Sequence, residues 1–198
     1  LGLLTTGIGQ SFIFAILPPL GREVGFDEIQ INSIIATSAM VFSLSSPYWG
    51  RFADRIGRKP VLLIGLGGYA LGNLTFALSF EAGLSGWLTG MPLFGLILVL
   101  RSLQAMIMSA SNPGAAAYAA DTSARKFRTR ALARLGTATS LGMIAGPILA
   151  GLLAGFGLLF PLYVATVLAT IATIVIAYRL KPDPKRNTVH RSTTQLSL

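Results

Sequence analysis

The chain has 198 residues, of which 53% are hydrophobic and 12% are charged, and its formal net charge is +9 at pH 7. Soluble domains carry about 25% charged residues, and so short a chain cannot bury this much apolar surface in a water-soluble core. The composition therefore excludes most soluble enzymes and nucleic-acid-binding modules, and it predicts an all-α membrane protein whose main partner is the lipid bilayer. The sequence has no cysteine, which excludes disulfides, thiol catalysis and zinc–thiolate sites.

Stretches without charged residues mark the predicted membrane spans, because a spanning helix needs about 20 mostly apolar residues. The pattern predicts one bundle over residues 1–180, with six transmembrane helices at about 3–20, 30–49, 61–80, 92–118, 133–154 and 159–179. We expect Pro18 and Pro19 to end the first helix, and the Asn-Pro-Gly sequence at 112–114 to break the fourth. Breaks at corresponding positions of the first and fourth helices are what an inverted 3+3 repeat would produce.

All Lys and Arg residues except Arg22 and Arg101 fall at one end of this predicted bundle. They occupy the loops 50–60 and 120–134 and the chain from the end of the last helix onward. Because cytoplasmic loops carry an excess of Lys and Arg, we expect both loops and the C-terminus to be cytoplasmic. Residues 181–198 are polar and contain prolines, which predicts a cytoplasmic tail or the start of a linker to a second bundle.

Side chains that could support catalysis or metal binding are missing from the predicted spans. None of these spans contains Asp or Glu, and the one histidine, His190, lies in the polar tail. A nucleophilic serine would lack a base, and a metal ion would lack ligands. The residues therefore predict no enzyme, no metal site and no bound cofactor.

The predicted loop between the second and third helices reads GRFADRIGRKP over residues 50–60. Gly50 and Gly57 permit tight turning and close backbone approach. Asp54 is the only acid among four bases and could cap a helix N-terminus, while Arg58 could pair with a carboxylate in a fork. The simpler alternative is a tight turn that carries positive-inside charge.

Arg101 is the only formal charge in the interior of a predicted span, since Arg134 and Arg179 lie at span ends. A charge near mid-membrane costs at least ~2.5 kcal/mol, so we expect Arg101 to face a polar cavity or a partner, with Gln104 on the same helix face. The alternative is that its side chain snorkels to the outer headgroups. Gln10, with Thr5 and Thr6, gives the first helix a polar stretch that could line a cavity, although a plainly packed helix is an equal alternative.

Small residues recur every four positions in the fifth helix, at Gly142, Gly146 and Ala150, and Gly151 belongs to an adjacent ridge. Such spacing lets two spanning helices touch closely. Pro147 removes a backbone donor and could bend the helix. Two interpretations remain open at this point: ordinary packing within the bundle, or a bend at the seam with a second bundle.

These three segments resemble motifs of the major facilitator superfamily. The loop resembles the family's signature loop, which it matches at Gly50, Asp54, Arg55, Gly57, Arg58 and Lys59. Residues 101–104 resemble an arginine–glutamine motif of the fourth helix. Residues 142–151 resemble the glycine–proline motif of the drug:proton antiporters, the branch that includes tetracycline exporters, and residues 118–121 resemble the end of the fourth helix in that branch.

The resemblance implies one bundle, built as an inverted 3+3 repeat, of a fold that uses two. Helices 1 and 4 would line the central cavity, helices 2 and 5 would meet the other bundle, and helices 3 and 6 would face lipid. The implied function is efflux of a small-molecule drug or metabolite by alternating access, in an antiporter of the bacterial inner membrane. This chain would be its N-terminal half, and a missing or separate C-terminal six-helix bundle would be its partner.

The resemblance also implies roles for individual residues. The signature loop and Asp121 would form a conformational gate, in which Asp121 joins a charge relay with Arg58. Gln10, Arg101 and Gln104 would lie on the substrate or proton pathway. The helix-packing motif would comprise Gly142, Gly146, Pro147 and Gly151.

Several functional alternatives stay open. A proton gradient is the coupling source that the resemblance implies, but the titratable carboxylate would have to come from the other half. The transporter could instead be a facilitator, or Arg101 could bind an anionic substrate. The chain could also be a non-transporting six-helix membrane fragment or interaction protein, or a half-transporter that works as a homodimer through helices 2 and 5.

Overall fold

A computed structural model describes residues 2–180 of the protein, and within that range its regular elements are all helices. They are α1 (Gly2–Glu23), α2 (Glu28–Ile56), α3 (Arg58–Leu84), α4 (Gly90–Met108), α5 (Ser111–Thr122), α6 (Arg128–Ala154) and α7 (Phe160–Arg179), with a 3-10 turn at Arg125–Phe127. α4 and α5 together form the fourth span, so six segments are long and apolar enough to cross a membrane. The predicted all-α bundle of six spans is confirmed; the polar tail 181–198, with His190, lies outside the described residues.

The helices are longer than predicted at the basic end of the bundle, which we define as the end that carries residues 51–59 and 125–134. α2 and α3 are separated only by Gly57, whose φ is +104°, so most of the predicted loop 50–60 is helical. The predicted loop 120–134 likewise shrinks to the residues between α5 and α6. Both loop predictions were too long, because a charge-free stretch marks the hydrocarbon layer of about 30 Å, whereas the 29 residues of α2 extend for about 43 Å.

Pro18 and Pro19 lie inside α1, which continues past them, so the prediction that they end the helix is wrong. The neighbouring Leu17 and Leu20 are buried in the core, and this packing holds the helix through two positions that lack an N–H donor. The fourth span does break, at residues 109–110, next to its Asn-Pro-Gly sequence. The expected correspondence between breaks in the first and fourth spans is therefore wrong.

The packing of the spans nevertheless follows the pattern of an inverted repeat. α1 packs mainly against α6, and the fourth span packs against α2, which is the same contact with the two halves exchanged. In the same way, α1 contacts α7, and the fourth span contacts α3. The third spans of the two halves, α3 and α7, contact each other. The first span of each three-span half thus lies against the second and third spans of the other half.

The spans differ in how much of their surface the bundle covers. In α1, 61% of the most apolar window is buried, whereas in α2 and in the fifth span the buried share is 17%. A core of aromatic side chains lies toward the end opposite the basic end, where Phe26, Phe76 and Phe80 pack with Leu17 and Leu20. α1 therefore occupies the middle of the bundle, and α2 and α6 present broad apolar faces.

Candidate functional site

A chain of polar side chains lies buried between α3 and α4. The Arg101 side chain donates from Nη1 to Gln104 Oε1 at 2.8 Å, and Gln104 Nε2 donates to Asn73 Oδ1 at 2.8 Å. Gln104 Nε2 also donates to the Tyr69 carbonyl at 3.3 Å. Arg101 is only 4% exposed, so the alternative in which it snorkels to the headgroups does not apply.

Glycines on α3 make room for this network. A Cβ atom on Gly72 would overlap the Gln104 side chain, and one on Gly68 would overlap Ile107. Further along, a Cβ atom on Gly65 would lie 2.5 Å from the backbone nitrogen of Ser111. The fourth span therefore lies close against α3, and Gln104 reaches the α3 backbone because no side chain stands in its way.

Arg101 also lines a cavity of about 120 Å³ between the first, second and fourth spans. The cavity-lining residues are Gln10, Phe14, Ser38, Ala39, Phe42, Ser43, Arg101, Ala105 and Met108. Gln10 and Arg101 thus share one cavity, whereas Gln104 lies behind Arg101 on the α3 side. The volume equals that of about four liquid waters and is smaller than the ~300 Å³ of the smallest typical drug sites, so this bundle provides only part of the space that a drug-sized ligand would need.

The charge of Arg101 has no acidic partner within residues 2–180. The three ion pairs in that range join Arg22 to Glu28, and Arg58 to Asp54 and Asp121. A buried guanidinium bonded only to a neutral amide is poorly compensated. The cavity wall is therefore suited to an anionic group, whether from a ligand or from another part of the assembly.

At the basic end, Arg58 joins three helices. It is the first residue of α3 and donates from Nη1 to Asp54 Oδ1, in the last turn of α2. Its Nε donates to Asp121 Oδ2 in α5 at 3.0 Å. Because the one-residue turn at Gly57 places Asp54 and Arg58 on adjoining helix ends, their pairing crosses a helix boundary. Asp54 caps neither α3 nor the neighbouring α5 and α6, since none of these helices begins with a side-chain cap, and that prediction is wrong.

Lys59 contacts a different helix. Its Nζ donates to the carbonyls of Ala177 and Leu180, each at 2.7 Å. The last carbonyls of a helix lack intrahelical donors and carry the negative end of the helix dipole. Lys59 therefore caps α7, at the point where the described chain ends.

Gly50 and Arg55, the other two residues of the signature loop, lie away from the contacts of Arg58 and Lys59. Gly50 lies near Pro113 of α5. A Cβ atom added to Gly50 would be 3.9 Å from the proline Cβ. Arg55 lines an open groove on α2 with Trp49 and three other residues of that helix. Trp49 Nε1 in turn donates to the Met106 carbonyl at 2.7 Å, where the break in the fourth span removes the usual α-helical donor.

The fifth-span motif packs inside this bundle. A Cβ atom on Gly142 would lie 2.5 Å from the Leu4 carbonyl oxygen, and one on Gly146 would overlap Ser11 of α1. The interpretation as ordinary packing within the bundle therefore holds for both glycines. Gly151 instead faces open space, and Pro147 is exposed.

Pro147 also changes the hydrogen bonding of α6. As it has no N–H, the carbonyl of Met143, four residues earlier, loses its helical donor. Ser11 Oγ of α1 donates to that carbonyl at 3.0 Å. The helix pair α1–α6 thus supplies its own replacement for the missing bond.

Sequence reasoning did not identify Asn73, Trp49 or Ser11. Asn73 had a usable signal, because it is an isolated amide in an apolar span and directly follows Gly72. Trp49 and Ser11 act on backbone carbonyls of distant helices, and nothing in their local sequence points to those partners.

The Major Facilitator Superfamily model matches residues 1–197. The chain is 29% identical to Multidrug resistance protein 2 of Bacillus subtilis (strain 168), over 88% of this chain and 40% of that protein. It is 29% identical to the class B tetracycline resistance protein of Escherichia coli, over 98% of this chain and 46% of that protein. It is 32% identical to the class E tetracycline resistance protein of Escherichia coli, over 92% of this chain and 42% of that protein.

The chain therefore spans less than half the length of these curated relatives. Six apolar segments, their inverted-repeat packing and a family match over nearly the whole sequence agree with one another. The chain is an integral multi-pass membrane protein that belongs to the Major Facilitator Superfamily.

Proposed function

We propose that this chain is the N-terminal six-helix half of a secondary active transporter that exports small molecules by alternating access. The observation that carries the proposal is the buried guanidinium of Arg101, which lines a cavity between the first, second and fourth spans without an acidic partner in residues 2–180. Keeping such a charge in an apolar bundle is costly. A role on the substrate or coupling pathway would account for its presence.

A second bundle completes the proposed transporter. α2 and α6 are the least buried spans, so their apolar faces are available to a partner bundle. The relatives are more than twice as long as the aligned region, which leaves room for six further spans. The small cavity at Arg101 would then be one wall of a larger site.

The Arg58 cluster is the proposed gate. It ties the ends of α2, α3 and α5 together, and both carboxylates are partly exposed, so the contacts can break without burying a lone charge. Lys59 holds the end of α7 to the same place. We propose that the basic end faces the cytoplasm of a bacterial cell, where this cluster stabilises one of the two access states.

The substrate class follows from the names of the relatives, which are multidrug and tetracycline resistance proteins. We propose drug or metabolite efflux on that basis. Coupling to protons would require a carboxylate inside a span, and this half has none there: the acids of residues 2–180 lie at the ends of the helices. The coupling acid would therefore belong to the second bundle.

The test is drug accumulation in a drug-sensitive bacterial strain that expresses the longest reading frame containing this chain. We expect lower accumulation of tetracycline or ethidium than in the empty strain. Arg101→Ala is expected to restore full accumulation, while Arg22→Ala, which removes an exposed cation at the opposite end, leaves efflux unchanged at equal membrane levels. Membrane-inserted protein without any efflux would support the non-transporting alternative instead, and an active Arg101→Ala variant would overturn the site.

The homodimer alternative has its own test, because the chain has no cysteine. Leu44→Cys on α2 and Ile148→Cys on α6 place thiols on exposed positions of the two least buried spans, and Val167→Cys on α7 is the control. A crosslink between two copies at the first two positions but not at the third would establish a homodimer. Uniform absence of crosslinks would leave the two-bundle proposal standing.

A further inference from the structure

The two groups of basic residues at the basic end are used differently. In the first, Arg58 and Lys59 are bonded to acids or helix-end carbonyls of this chain, whereas Arg51 and Arg55 are exposed and have no acidic partner within residues 2–180. In the second, five cations have no acidic partner within residues 2–180: Arg125, Lys126, Arg128, Arg130 and Arg134. All five are exposed, so their charge is available to something outside the chain.

Part of this second group forms a pocket. Phe127, Arg130, Ala131 and Arg134 follow the i, i+3, i+4, i+7 spacing of one helix face, and with Ser123 they line a space of about 280 Å³ that is open to the surface. Two guanidinium groups stand one turn apart beside an aromatic ring and a hydroxyl. Guanidinium groups bind phosphate oxygens in a fork, so the pocket matches a phosphate group with an attached apolar portion.

The position of the pocket relative to the membrane surface also favours a lipid. α6 has 27 residues and is about 40 Å long, which exceeds the hydrocarbon thickness of about 30 Å. Its uncharged part, residues 135–154, is long enough to cross that layer. The first two turns of α6 therefore lie at the headgroup layer, where the exposed Phe127 and Leu132 would contact the edge of the acyl chains.

Two further observations favour an external anion. No side chain caps the start of α6, so its first N–H groups add to the positive potential of the pocket. The remaining part of the chain is a poor candidate occupant, because residues 181–198 contain four basic residues and one acid. The nearest acid in sequence, Asp121, is already bonded to Arg58.

We propose that this pocket binds the phosphate group of an anionic phospholipid in the leaflet at the basic end. Arg130 and Arg134 hold the phosphate, and Phe127 packs against the glycerol and the upper acyl chain. The site would fix the start of α6 to the membrane surface, and it does not depend on the transport activity proposed above.

The test is native mass spectrometry of the purified full chain in detergent, titrated with phosphatidylglycerol or with phosphatidylcholine of the same acyl chains. We expect phosphatidylglycerol to bind at least about 10-fold more tightly. The double variant Arg130→Gln/Arg134→Gln is expected to lose about 10-fold or more in that affinity, because neither glutamine can make the charge-assisted fork of hydrogen bonds that a guanidinium makes to the phosphate. The matched control Arg125→Gln/Arg128→Gln removes the same charge without changing a residue that lines the pocket, and it is expected to lose at most about 3-fold.

An equal loss in the control would overturn the proposal, since it would show a diffuse charge effect rather than a site. Equal binding of the two lipids would overturn it as well. A third titration adds inorganic phosphate as the competitor of bound phosphatidylglycerol. If millimolar phosphate competed as well as the lipid itself, the pocket would be assigned to a free anion and not to phospholipid. All four substituted side chains are exposed, and circular dichroism checks that each variant remains helical.

Discussion

The α1–α6 pair and the α3–α4 pair both have glycines at their contact, but different groups occupy the space that the glycines leave. On α6, Gly142 and Gly146 admit the backbone and the Ser11 side chain of α1. On α3, Gly72 admits the long polar side chain of Gln104. The first contact is set by shape, and the second is set by a buried hydrogen-bond network.

This difference separates a structural contact from the proposed functional site within one small bundle. Close backbone contact gains dispersion energy and leaves no polar atom unpaired, so it suits a rigid support. A network that contains Arg101 adds little stability, because desolvation of the charge offsets its hydrogen bonds. A substitution that fills the first contact should therefore cost more stability than one that removes a polar partner from the second.

The largest expected effect is from Gly146→Leu. The Cβ atom of the new side chain would overlap the Ser11 Cβ and lie 3.0 Å from the Ile8 carbonyl oxygen, so α1 and α6 must separate. We expect a loss of about 3 kcal/mol in the free energy of unfolding, measured by denaturant titration in detergent with circular dichroism.

Gly151→Leu is the matched control for that substitution, because a Cβ atom at Gly151 meets open space on the same helix. Its expected change is below about 1 kcal/mol. If the two variants lost equal stability, helix propensity or lipid contact rather than the α1–α6 contact would explain both, and the comparison between the two pairs would fail.

The second effect is expected from Gln104→Leu. It removes the acceptor of Arg101 and the donor to Asn73, and leaves a buried guanidinium without a bond. We expect a loss of about 2 kcal/mol in unfolding free energy. In the double variant Arg101→Leu/Gln104→Leu the loss should be smaller than in Gln104→Leu alone, because the uncompensated charge is gone.

A double variant less stable than Gln104→Leu would mean that Arg101 itself stabilises the fold. The α3–α4 network would then be structural in the same sense as the α1–α6 contact. Asn73→Leu, which leaves the Arg101–Gln104 bond in place, is the control that isolates the far end of the network.

The features that sequence could predict are those that depend on a short stretch of the chain. The number of spans follows from the lengths of the apolar runs, and the shared face of Arg101 and Gln104 follows from their spacing along one helix. Helix ends were harder to place, because α2 and α6 continue beyond the hydrocarbon layer into charged sequence. Pro18 and Pro19 show the same limit, since packing by neighbouring helices overrides their local preference.

What sequence could not supply is the partner of each side chain across the bundle. Ser11 and Trp49 bond backbone carbonyls, and a carbonyl has no residue identity that a motif could reveal. Asn73 becomes part of the candidate site only because Gly72 brings α3 against α4. These contacts depend on which helices are neighbours, and that information appears only with the fold.

The smallest effect, and the sharpest test of the α1–α6 pair, concerns Ser11. Ser11→Ala leaves the Met143 carbonyl without a donor, because Pro147 cannot provide one, and we expect a loss of about 1 kcal/mol in unfolding free energy. Pro147→Ala restores an N–H four residues after Met143, so Ser11→Ala should cost close to nothing in that background. A cost that was unchanged by Pro147→Ala would show that Ser11 acts through packing against Gly146, and that the α1–α6 contact owes nothing to hydrogen bonding.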